Sequence, residues 1–455
     1  MMVHAEGANV SRSPGPSYQE FLESDTHPVA DHFRESRPGD FGTEKIPVER
    51  YTSRDFYERE KAELWPRVWQ MACRSEHVPE AGDTYLYEIC DSSFLIVRNS
   101  TNEINAFWNV CRHRGRQLVS EPGHADRLRC PFHAFTWNLD GKLAFTPSAW
   151  DFPQIGPGEA DLLQVRVAVW AGFVFINPDL NAEPLDQYLG EIVEHFEPWR
   201  LEDRFVEGHV AKVIHANWKA VQEAFMESLH VAATHPQQLM RLGDTNSQHD
   251  CYENVNRSLH PSGTPSPLLD WIPTQQQMLE SMLDVRVDEQ SPIVVPDGMS
   301  LREFAANVGR DSLRPALGDE VEQLSDAELV DAMEYSIFPN FHPWAAYQRV
   351  VYRFRPYQDR HDQTIMEVML LSPYVGDRPP PADCVWLDAD QSWTDAPVLG
   401  ITGRILDQDS FNLPRVQVGM QSTPMNGLLL SRYQESRIRH FHRLLECRLS
   451  ERRPS

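Results

Sequence analysis

Two short segments that each offer one cysteine and one histidine constrain this chain more than any other feature of its sequence. The first segment holds Cys111 and His113, and the second, sixteen residues later, holds Cys130 and His133. Two thiolates and two imidazoles can share a cluster of two irons and two sulfides, with both cysteines on one iron and both histidines on the other. The spacing therefore predicts two loops that hold a [2Fe–2S] cluster between them.

A structural zinc site is the alternative, because zinc also binds two cysteines and two histidines in a tetrahedron. Its usual spacing pairs two neighbouring cysteines and, elsewhere, two neighbouring histidines. Here each segment contributes one cysteine and one histidine. This alternation favours the iron–sulfur cluster.

The composition limits the partners of the chain and the compartment in which it works. The formal net charge of −25 at pH 7 argues against binding to nucleic acid or to an anionic membrane, because both depend on clustered Lys and Arg. No apolar run approaches the length of a membrane span, and the N-terminus lacks the apolar segment of a signal peptide. Seven scattered cysteines suit reduced thiols. We therefore expect a cytoplasmic protein.

Five arginines stand against this acidic background, all within or beside the two Cys/His segments. They are Arg112, Arg114, Arg116, Arg127 and Arg129. A run of this kind is often no more than a solvated basic surface. Alternatively, it is a docking surface that steers an acidic electron donor toward the cluster, since complementary charge raises the rate of encounter.

The residues around the two loops have the pattern of an antiparallel β domain. Ser53 is a candidate N-cap for a helix that Pro66 ends. Short β-branched and aromatic segments, separated by turn residues, lie at 85–89, 93–98, 104–110 and 168–177. We predict, in chain order, a flexible arm, an iron–sulfur domain and a catalytic domain, over residues 1–44, 45–180 and 181–455.

The catalytic domain is predicted to combine helices with a further sheet. Residues 185–197 have helical periodicity, and segments typical of strands lie within 335–371. The polar, proline-punctuated stretch 236–334 is expected to be a lid or insertion over the active site. A basic amphipathic helix near the C-terminus is expected to dock on the sheet and to leave His440 and His442 at the surface.

A second group of candidate metal ligands lies farther along the chain. The residues from Asn217 to His230 read as one helix that carries Glu223, Glu227 and His230 on one face. His235 follows five residues later and precedes a proline, which biases it out of helical geometry. Both imidazoles reach one metal only if the helix bends or ends between them. Two histidines and one carboxylate form the facial triad of oxygen-activating non-haem Fe(II).

Together these patterns resemble the large (α) subunit of Rieske-type aromatic-ring-hydroxylating oxygenases, from about Tyr51 to about Leu445. The second cluster loop of that family usually reads C-P-Y-H-G-W, and this chain keeps both ligands but has Ala134 in place of the glycine. The resemblance implies an α+β fold, in which the antiparallel sheet of the catalytic domain wraps around long helices in a helix-grip, START-like arrangement. It also implies a Rieske [2Fe–2S] cluster on Cys111, His113, Cys130 and His133.

The same resemblance implies a mononuclear iron in the catalytic domain. It carries His230 and His235 over as ligands, and it implies a third, acidic ligand in a C-terminal signature that ends in V-Q-x-G. Asp409, eight residues before Gln417, matches that acid, and Asp407 is the fallback. On a helix these two aspartates would point to nearly opposite sides, so only one of them can face the iron.

The partners are also implied by the resemblance. Glu227 takes the position of an acidic bridge between an iron-ligand histidine and a cluster histidine of the neighbouring subunit, here His133. The family architecture implies a homotrimer, with or without a small β subunit, and O2 as a substrate. Electrons would come from NAD(P)H through a ferredoxin or a flavin reductase that docks near Arg112, Arg114 and Arg116.

Three hypotheses on function remain open. The first is mono- or dihydroxylation of an aromatic or polycyclic apolar substrate, which the apolar side chains of Phe225, Met226 and Leu229 favour. The second is N- or O-demethylation, or attack on a quaternary amine, which Glu227 supports because relatives that act on quaternary amines also have glutamate there. The third is an electron carrier or a metal-stabilised binding protein, and it does not explain why Glu227, His230, His235 and Asp409 occur together.

Overall fold

Two mainly antiparallel sheets, one in each half of the chain, are the frame of this computed structural model, which describes residues 13–285 and 291–450. Consecutive strands pair readily because antiparallel neighbours need only short turns between them. The strands of the described residues are β1 (Ile46–Pro47), β2 (Gln70–Arg74), β3 (Asp83–Ile89), β4 (Ser92–Arg98), β5 (Ile104–Trp108), β6 (Gly123–His124), β7 (Leu128–Arg129), β8 (Thr136–Trp137), β9 (Leu143–Phe145), β10 (Gln164–Trp170), β11 (Phe173–Asn177), β12 (Phe205–Ile214), β13 (Gln248–Cys251), β14 (Val255–His260), β15 (Ala332–Ile337), β16 (Phe341–Pro343), β17 (Val350–Tyr357), β18 (Arg360–Ser372), β19 (Cys384–Leu387) and β20 (Gly427–Leu428).

Helices surround these sheets, and most of them are short. Those of the described residues are α1 (Tyr18–Leu22), α2 (Asp31–Arg34), α3 (Glu49–Thr52), α4 (Arg54–Arg59), α5 (Leu185–Leu189), α6 (Ile192–Phe196), α7 (Trp218–Glu223), α8 (Val231–Thr234), α9 (Gln275–Met282), α10 (Leu301–Leu317), α11 (Asp326–Val330), α12 (Ile401–Gln421) and α13 (Ser436–Ser450). None of them combines the length and the apolarity that crossing a bilayer requires.

The N-terminal sheet has seven strands in the order β2-β11-β10-β5-β4-β3-β6, and the small sheet β7-β8-β9 carries the second Cys/His segment. The predicted antiparallel strands are thus present. The helix that precedes them also begins as predicted, because the Ser53 side chain accepts a hydrogen bond from the amide of Phe56 (3.2 Å). Residues 168–177 form a hairpin rather than one strand, since Ala171 and Gly172 turn the chain with positive φ angles of 50° and 78°.

The C-terminal sheet has eight strands in the order β13-β14-β15-β16-β17-β18-β12-β19, of which only the β12–β19 pair is parallel. Helix α12 packs on this sheet through Leu406 and Leu413, which share an apolar cluster with Val210 and Val368. The predicted α+β class is therefore confirmed. The prediction of a lid or insertion over residues 236–334 is wrong for the part that forms β13 and β14, because these two strands belong to the sheet.

The first described residues pack against the catalytic domain. Tyr18, Leu22 and Phe33 are buried in the same apolar cluster as strand β15, and the Tyr18 hydroxyl donates a hydrogen bond to Asp331 (3.0 Å). The prediction of a flexible arm is therefore corrected for residues 13–44. The proline-rich composition suggested a flexible segment, but the three apolar side chains of Tyr18, Leu22 and Phe33 are part of the core. Residues 1–12 of that predicted arm lie outside the described residues.

Helix α13 lies between the two sheets rather than on the outside of one. Its residues Ile438, Phe441 and Leu445 share an apolar cluster with Trp65 and Ile96 of the N-terminal half. His440 and His442 are consequently 4% and 1% exposed. The prediction that both histidines lie at the surface is wrong, because this helix is covered on more than one side.

A buried group of charges joins the two domains. Arg353 and Arg355 on β17 donate hydrogen bonds to the carboxylate of Glu367 on β18 (2.7 and 3.0 Å). Arg353 also donates to the carbonyl oxygens of Met71 and Ala72 on β2 (2.9 and 2.6 Å). Since breaking up a buried, hydrogen-bonded ion pair is costly, this group fixes how the N-terminal sheet sits on the C-terminal one.

Candidate functional site

The two Cys/His segments form loops of the same design. In the first, the Cys111 amide donates to the Arg116 carbonyl (2.8 Å) and the Gly115 amide donates to the Cys111 carbonyl (3.0 Å). In the second, the Cys130 amide donates to the Phe135 carbonyl (2.8 Å) and the Ala134 amide donates to the Cys130 carbonyl (3.0 Å). Each loop therefore turns at the fourth residue after its cysteine.

This turn requires a left-handed backbone in both loops. The φ angle is 73° at Gly115 and 63° at Ala134. Glycine adopts such angles at little cost, whereas a residue with a Cβ loses roughly 1–2 kcal/mol there. The alanine that replaces the usual glycine of the second loop therefore takes the glycine conformation and bears its strain.

The four candidate ligands converge at the tips of these loops. Cys111 and Cys130 are buried, and their thiols are hydrogen-bonded to each other; burial raises the pKa of Cys111. The rings of His113 and His133 lie 4.8 Å apart at 72° to one another. Nδ1 of His113 is buried and has no hydrogen-bond partner among the described residues. Two thiols, two imidazoles and a buried nitrogen without a partner fit a cluster ligand set, although the ligand roles stay a prediction.

The surface around the cluster loops is basic and carries one apolar side chain at its tip. Phe132 is 55% exposed, and the guanidinium of Arg114 lies over its ring, 5.3 Å from the centroid. The five arginines predicted to be near the loops are all exposed. Behind them, Phe135 stacks on His113 at 4.7 Å and closes the site toward the protein interior.

The segment that carries the second ligand group is less helical than predicted. Helix α7 ends at Glu223, and α8 begins immediately after His230 and ends at Thr234, directly before His235. Glu223 consequently faces away from His230, and its carboxylate accepts a hydrogen bond from Tyr51 (2.9 Å). The prediction of one helical face with Glu223, Glu227 and His230 is wrong for Glu223, because a turn separates it from the other two.

His230 and His235 nevertheless lie close together, because the helix ends before His235, as predicted. His235 has a non-helical backbone, with φ −125° and ψ 51°, and the two imidazole rings lie 5.1 Å apart. Asp409 of α12 completes the group: its Oδ1 lies 3.0 Å from Nε2 of His235 and 3.8 Å from Nε2 of His230. One ligand atom from each of the three residues lies within 4.8 Å of the others.

Each of these histidines has its Nδ1 fixed by a hydrogen bond, which leaves Nε2 for a metal. Glu227 lies 2.7 Å from Nδ1 of His230 through Oε1, and its Oε2 accepts a hydrogen bond from the His230 amide (3.1 Å). Burial lowers the pKa of His230, but the hydrogen bond to Glu227 and the negative charges of Glu227, Asp409 and Glu334 together outweigh this effect, so the pKa lies above its ordinary value. Nδ1 of His235 lies 2.7 Å from Oε1 of Gln408.

Gln408 was not expected from the sequence. The only sequence signal for Gln408 is its place directly before Asp409. A side chain next to a candidate ligand on the same helix can reach the imidazole that lies beside that ligand, here His235. Asp407 lies on the opposite side of α12, where its carboxylate accepts hydrogen bonds from the Ser392 hydroxyl (2.5 Å) and the Trp393 amide (2.8 Å). The structure thus places Asp409, and not Asp407, beside the two histidines.

A cavity of about 280 Å³ opens beside the three candidate ligands. Of the apolar residues predicted to line it, Phe225 does so, whereas Met226 is buried between the domains and Leu229 is 38% exposed. The turns after α7 send these three side chains in different directions. The cavity also has charged and aromatic walls, to which Arg241, His260, Glu334, Trp344 and Tyr352 contribute.

Comparison with known proteins gives matches over both halves. The family model described as "Rieske [2Fe-2S] domain" matches residues 68–155, and that described as "Ring hydroxylating alpha subunit (catalytic domain)" matches residues 191–451.

The carnitine monooxygenase oxygenase subunit of Escherichia coli (strain K12) is 33% identical over 195 residues, or 42% of this chain and 52% of that protein. The glycine betaine monooxygenase oxygenase subunit of Pseudomonas aeruginosa is 32% identical over 200 residues, or 43% and 46%. The chain thus spans about half the length of these curated relatives.

Solved structures with the same fold cover most of the chain. The apo form of the quaternary ammonium Rieske monooxygenase CntA superposes with a TM-score of 0.62 at 17% identity, over 89% of this chain and 95% of that one. Naphthalene 1,2-dioxygenase from Rhodococcus sp., bound to indole, superposes with a TM-score of 0.60 at 17% identity, over 90% and 95%. At these identities the likeness establishes the fold.

The two cluster loops provide a matched pair of substitutions. We expect Ala134→Gly to raise the free energy of unfolding by about 1 kcal/mol and Gly115→Ala to lower it by about 1 kcal/mol, because the left-handed backbone favours glycine. A Cβ at position 115 would meet no atom within 4 Å, so steric contact does not contribute. Thermal unfolding monitored by circular dichroism measures both changes. Equal stability of the three proteins would contradict the shared loop design.

Proposed function

Because this chain belongs to the family of Rieske oxygenase alpha subunits, we propose that it is a monooxygenase acting on a small quaternary amine. The reaction would take O2, two electrons and two protons, oxidise one C–H bond next to the cationic nitrogen to C–OH, and release water. The resulting hydroxylated ammonium ion is unstable: cleavage of its C–N bond, with loss of the hydroxyl proton, would then give a tertiary amine and an aldehyde. This proposal selects the second of the three hypotheses on function.

The composition of the cavity is the observation that carries the proposal. The rings of Phe225 and Tyr352 lie 4.9 Å apart, and those of Trp344 and Tyr352 lie 6.1 Å apart. These rings give the cavity the aromatic walls that attract a quaternary ammonium group, whereas the carboxylate of Glu334 is already paired with Arg437 (3.4 Å). A volume of about 280 Å³ lies just below the usual range of roughly 300–1,000 Å³ for ligand pockets, which favours a small substrate.

The chemistry of the two donor sets supports the cofactors. Cys111, His113, Cys130 and His133 would hold a Rieske [2Fe–2S] cluster, and His230, His235 and Asp409 would hold a mononuclear iron. When bound, the cluster supplies single electrons and the iron supplies oxygen activation. A triad of two histidines and one carboxylate leaves coordination positions open, as such chemistry requires.

Glu227 would connect the two metal sites of neighbouring subunits. Its Oε1 already engages Nδ1 of His230, and its side chain is partly exposed at 11%, so a second donor can reach it from outside. We propose that this donor is His133 of a neighbouring subunit in a homotrimer, as the family architecture implies. The exposed Phe132 beside His133 and the exposed Leu229 beside His230 are apolar contacts that such an arrangement would cover.

We further propose that a ferredoxin or flavin reductase docks on the basic surface around Arg112, Arg114 and Arg116. All three arginines are exposed. Their local positive charge contrasts with the net charge of −25 of the whole chain. An acidic donor would be steered to this surface. The seven cysteines, all of which lie within the described residues, form no disulfide, which supports the proposed cytoplasmic location.

The substrate class is tested with an isosteric pair. Protein reduced through a chemical mediator is given O2 and either a trimethylammonium compound or its tert-butyl analogue, and oxidised product is quantified by mass spectrometry. We expect product from the cation only, because the neutral isostere gains nothing from the aromatic walls of the cavity. A small aromatic hydrocarbon is offered in a parallel reaction, and its hydroxylation, with the trimethylammonium compound left intact, would instead support the first hypothesis.

The iron ligands are tested with two neighbouring aspartates. We expect Asp409→Asn to lose the mononuclear iron and to retain the cluster, because it replaces a charged ligand atom of the triad. Asp407→Asn should retain all metal and lose roughly 1 kcal/mol of stability through its contacts with Ser392 and Trp393. Iron and acid-labile sulfide analysis of anaerobically purified protein measures both. Loss of iron in Asp407→Asn alone would overturn the assignment.

Glu227 is tested through its charge. We expect Glu227→Gln to lower the rate of product formation about 10- to 100-fold, while iron and cluster content stay at the wild-type level. Glu320→Gln, at an exposed position, is the control and should keep the wild-type rate. The measurement is the rate with saturating reductant. A Glu227→Gln protein as active as the control would exclude the bridging role.

A further inference from the structure

Two cavities of this protein are separated by a wall that contains one buried histidine. The first cavity, beside His230, His235 and Asp409, has His260 in its wall. A second cavity, of about 450 Å³, lies between the first described residues and the catalytic domain, and Ser247 lines it. The Ser247 hydroxyl lies 2.5 Å from Nδ1 of His260. These two buried side chains therefore connect the cavities.

The second cavity reaches the protein surface. Pro16 is exposed at its rim, and Tyr433 is 40% exposed. The described residues that line it are all uncharged, and most of them carry hydroxyl or amide groups, as Thr245, Gln248 and Gln434 do. A roomy, polar cavity of this kind suits water, which these groups can both donate to and accept from. Solvent protons therefore have access to Ser247.

On the other side of His260 lies a carboxylate. Nε2 of His260 is 3.9 Å from Oε2 of Glu334, and Glu334 lines the first cavity. A movement of about 1 Å would bring these two atoms to hydrogen-bond distance. A hydroxyl, an imidazole and a carboxylate thus follow one another from the second cavity to the first.

Burial gives His260 and Glu334 the protonation states that suit transfer of a proton. It holds the pKa of His260 well below its ordinary value, so the ring is neutral and has one N–H donor and one acceptor nitrogen. Burial also raises the pKa of Glu334, although Arg437 lies 3.4 Å away, and this favours protonation of its carboxylate. The Ser247 hydroxyl can turn between His260 and the carbonyl oxygen of Asp244, which is also 2.5 Å away.

The proposed reaction requires protons at the first cavity. It consumes two protons for each O2, and it does so while the substrate is bound. A substrate that fills a cavity of about 280 Å³ displaces the water from it, so the protons then have to cross the protein. Glu227 and the three candidate ligands already have roles at this cavity, whereas the mechanism so far uses neither His260 nor Glu334.

We propose that Ser247, His260 and Glu334 form a proton path from the second cavity to the first, an inference that rests on the proposed function. The Ser247 hydroxyl gives its proton to Nδ1 of His260 and takes one from water in the second cavity. His260 gives the proton on its Nε2 to Glu334, which releases it to the reaction. One proton enters and one leaves, so neither Ser247 nor His260 keeps a net charge.

A matched pair of serines tests this path. Ser247→Ala removes the hydroxyl of the path. Ser258→Ala is the control, because the Ser258 hydroxyl is also buried and lies 3.0 Å from Nδ1 of another buried histidine, His249, but lines neither cavity. Each protein is given a trimethylammonium compound and oxidised by two routes, with O2 after chemical reduction of the holoenzyme, or with H2O2 and oxidised holoenzyme. Hydroxylation by H2O2 needs no further electrons or protons, since the peroxide brings two of each.

We expect Ser247→Ala to lower the rate of product formation with O2 roughly 10- to 100-fold and to keep the wild-type rate with H2O2. Its solvent isotope effect in D2O should exceed that of the wild type in the O2 route, because proton delivery becomes rate-limiting. Ser247→Thr keeps a hydroxyl and should recover most of the rate, and Ser258→Ala should match the wild type by both routes. Calorimetric titration of anaerobic holoenzyme should give the same substrate affinity for all four proteins.

The two routes separate this inference from the proposed function. A Ser247→Ala protein as fast as Ser258→Ala with O2 would overturn the path. Equal losses by both routes would also overturn it, since they would indicate damage to substrate binding rather than to proton supply. His260→Gln, with His249→Gln as its control, interrupts the path at the ring and should show the same loss with O2 alone. Absence of product from the wild type by either route would instead refute the proposed function.

Discussion

The contact between Asp409 and His235 is the interaction on which the catalytic half depends, because it joins residues that are far apart in the chain. Helix α12 carries Asp409 to this contact, and two other side chains of the same helix also make contacts that shape the site. Gln408 holds Nδ1 of His235, and Gln417, two turns later, accepts a hydrogen bond from the amide of Asn217 (3.0 Å) at the start of α7. One helix therefore positions a candidate ligand, orients another and anchors the segment that leads to His230.

The position of α12 depends in turn on how the two domains are joined. Glu367 and its arginine partners Arg353 and Arg355 tie the C-terminal sheet to β2, and helix α13 fills the space between the halves. The buried His442 lies 2.9 Å from Glu223 at the end of α7. The segment between the end of α7 and His230 is consequently held at one end by the domain interface and at the other by the group of His230, His235 and Asp409. The cavity opens beside this segment.

Much of the site could be predicted from sequence because ligand chemistry restricts both residue type and spacing. The cluster loops, the two histidines and the preference for Asp409 over Asp407 follow from local patterns. The early end of α7, the burial of His440 and His442, and the packing of Tyr18 do not, since tertiary contacts decide them. The charged wall of the cavity was also beyond prediction, because Arg241 and Glu334 come from distant segments that carry no motif.

A single-turnover experiment tests the two-centre oxygenase proposal most directly. Holoenzyme is reduced chemically, separated from the reductant, and mixed with O2 and a trimethylammonium compound, while the visible absorption of the cluster and the product are followed together. The proposal predicts that the cluster returns to its oxidised spectrum at the rate at which product appears, and that both are slow without substrate. Rapid reoxidation of the cluster without any product would contradict it and would leave an electron-transfer protein.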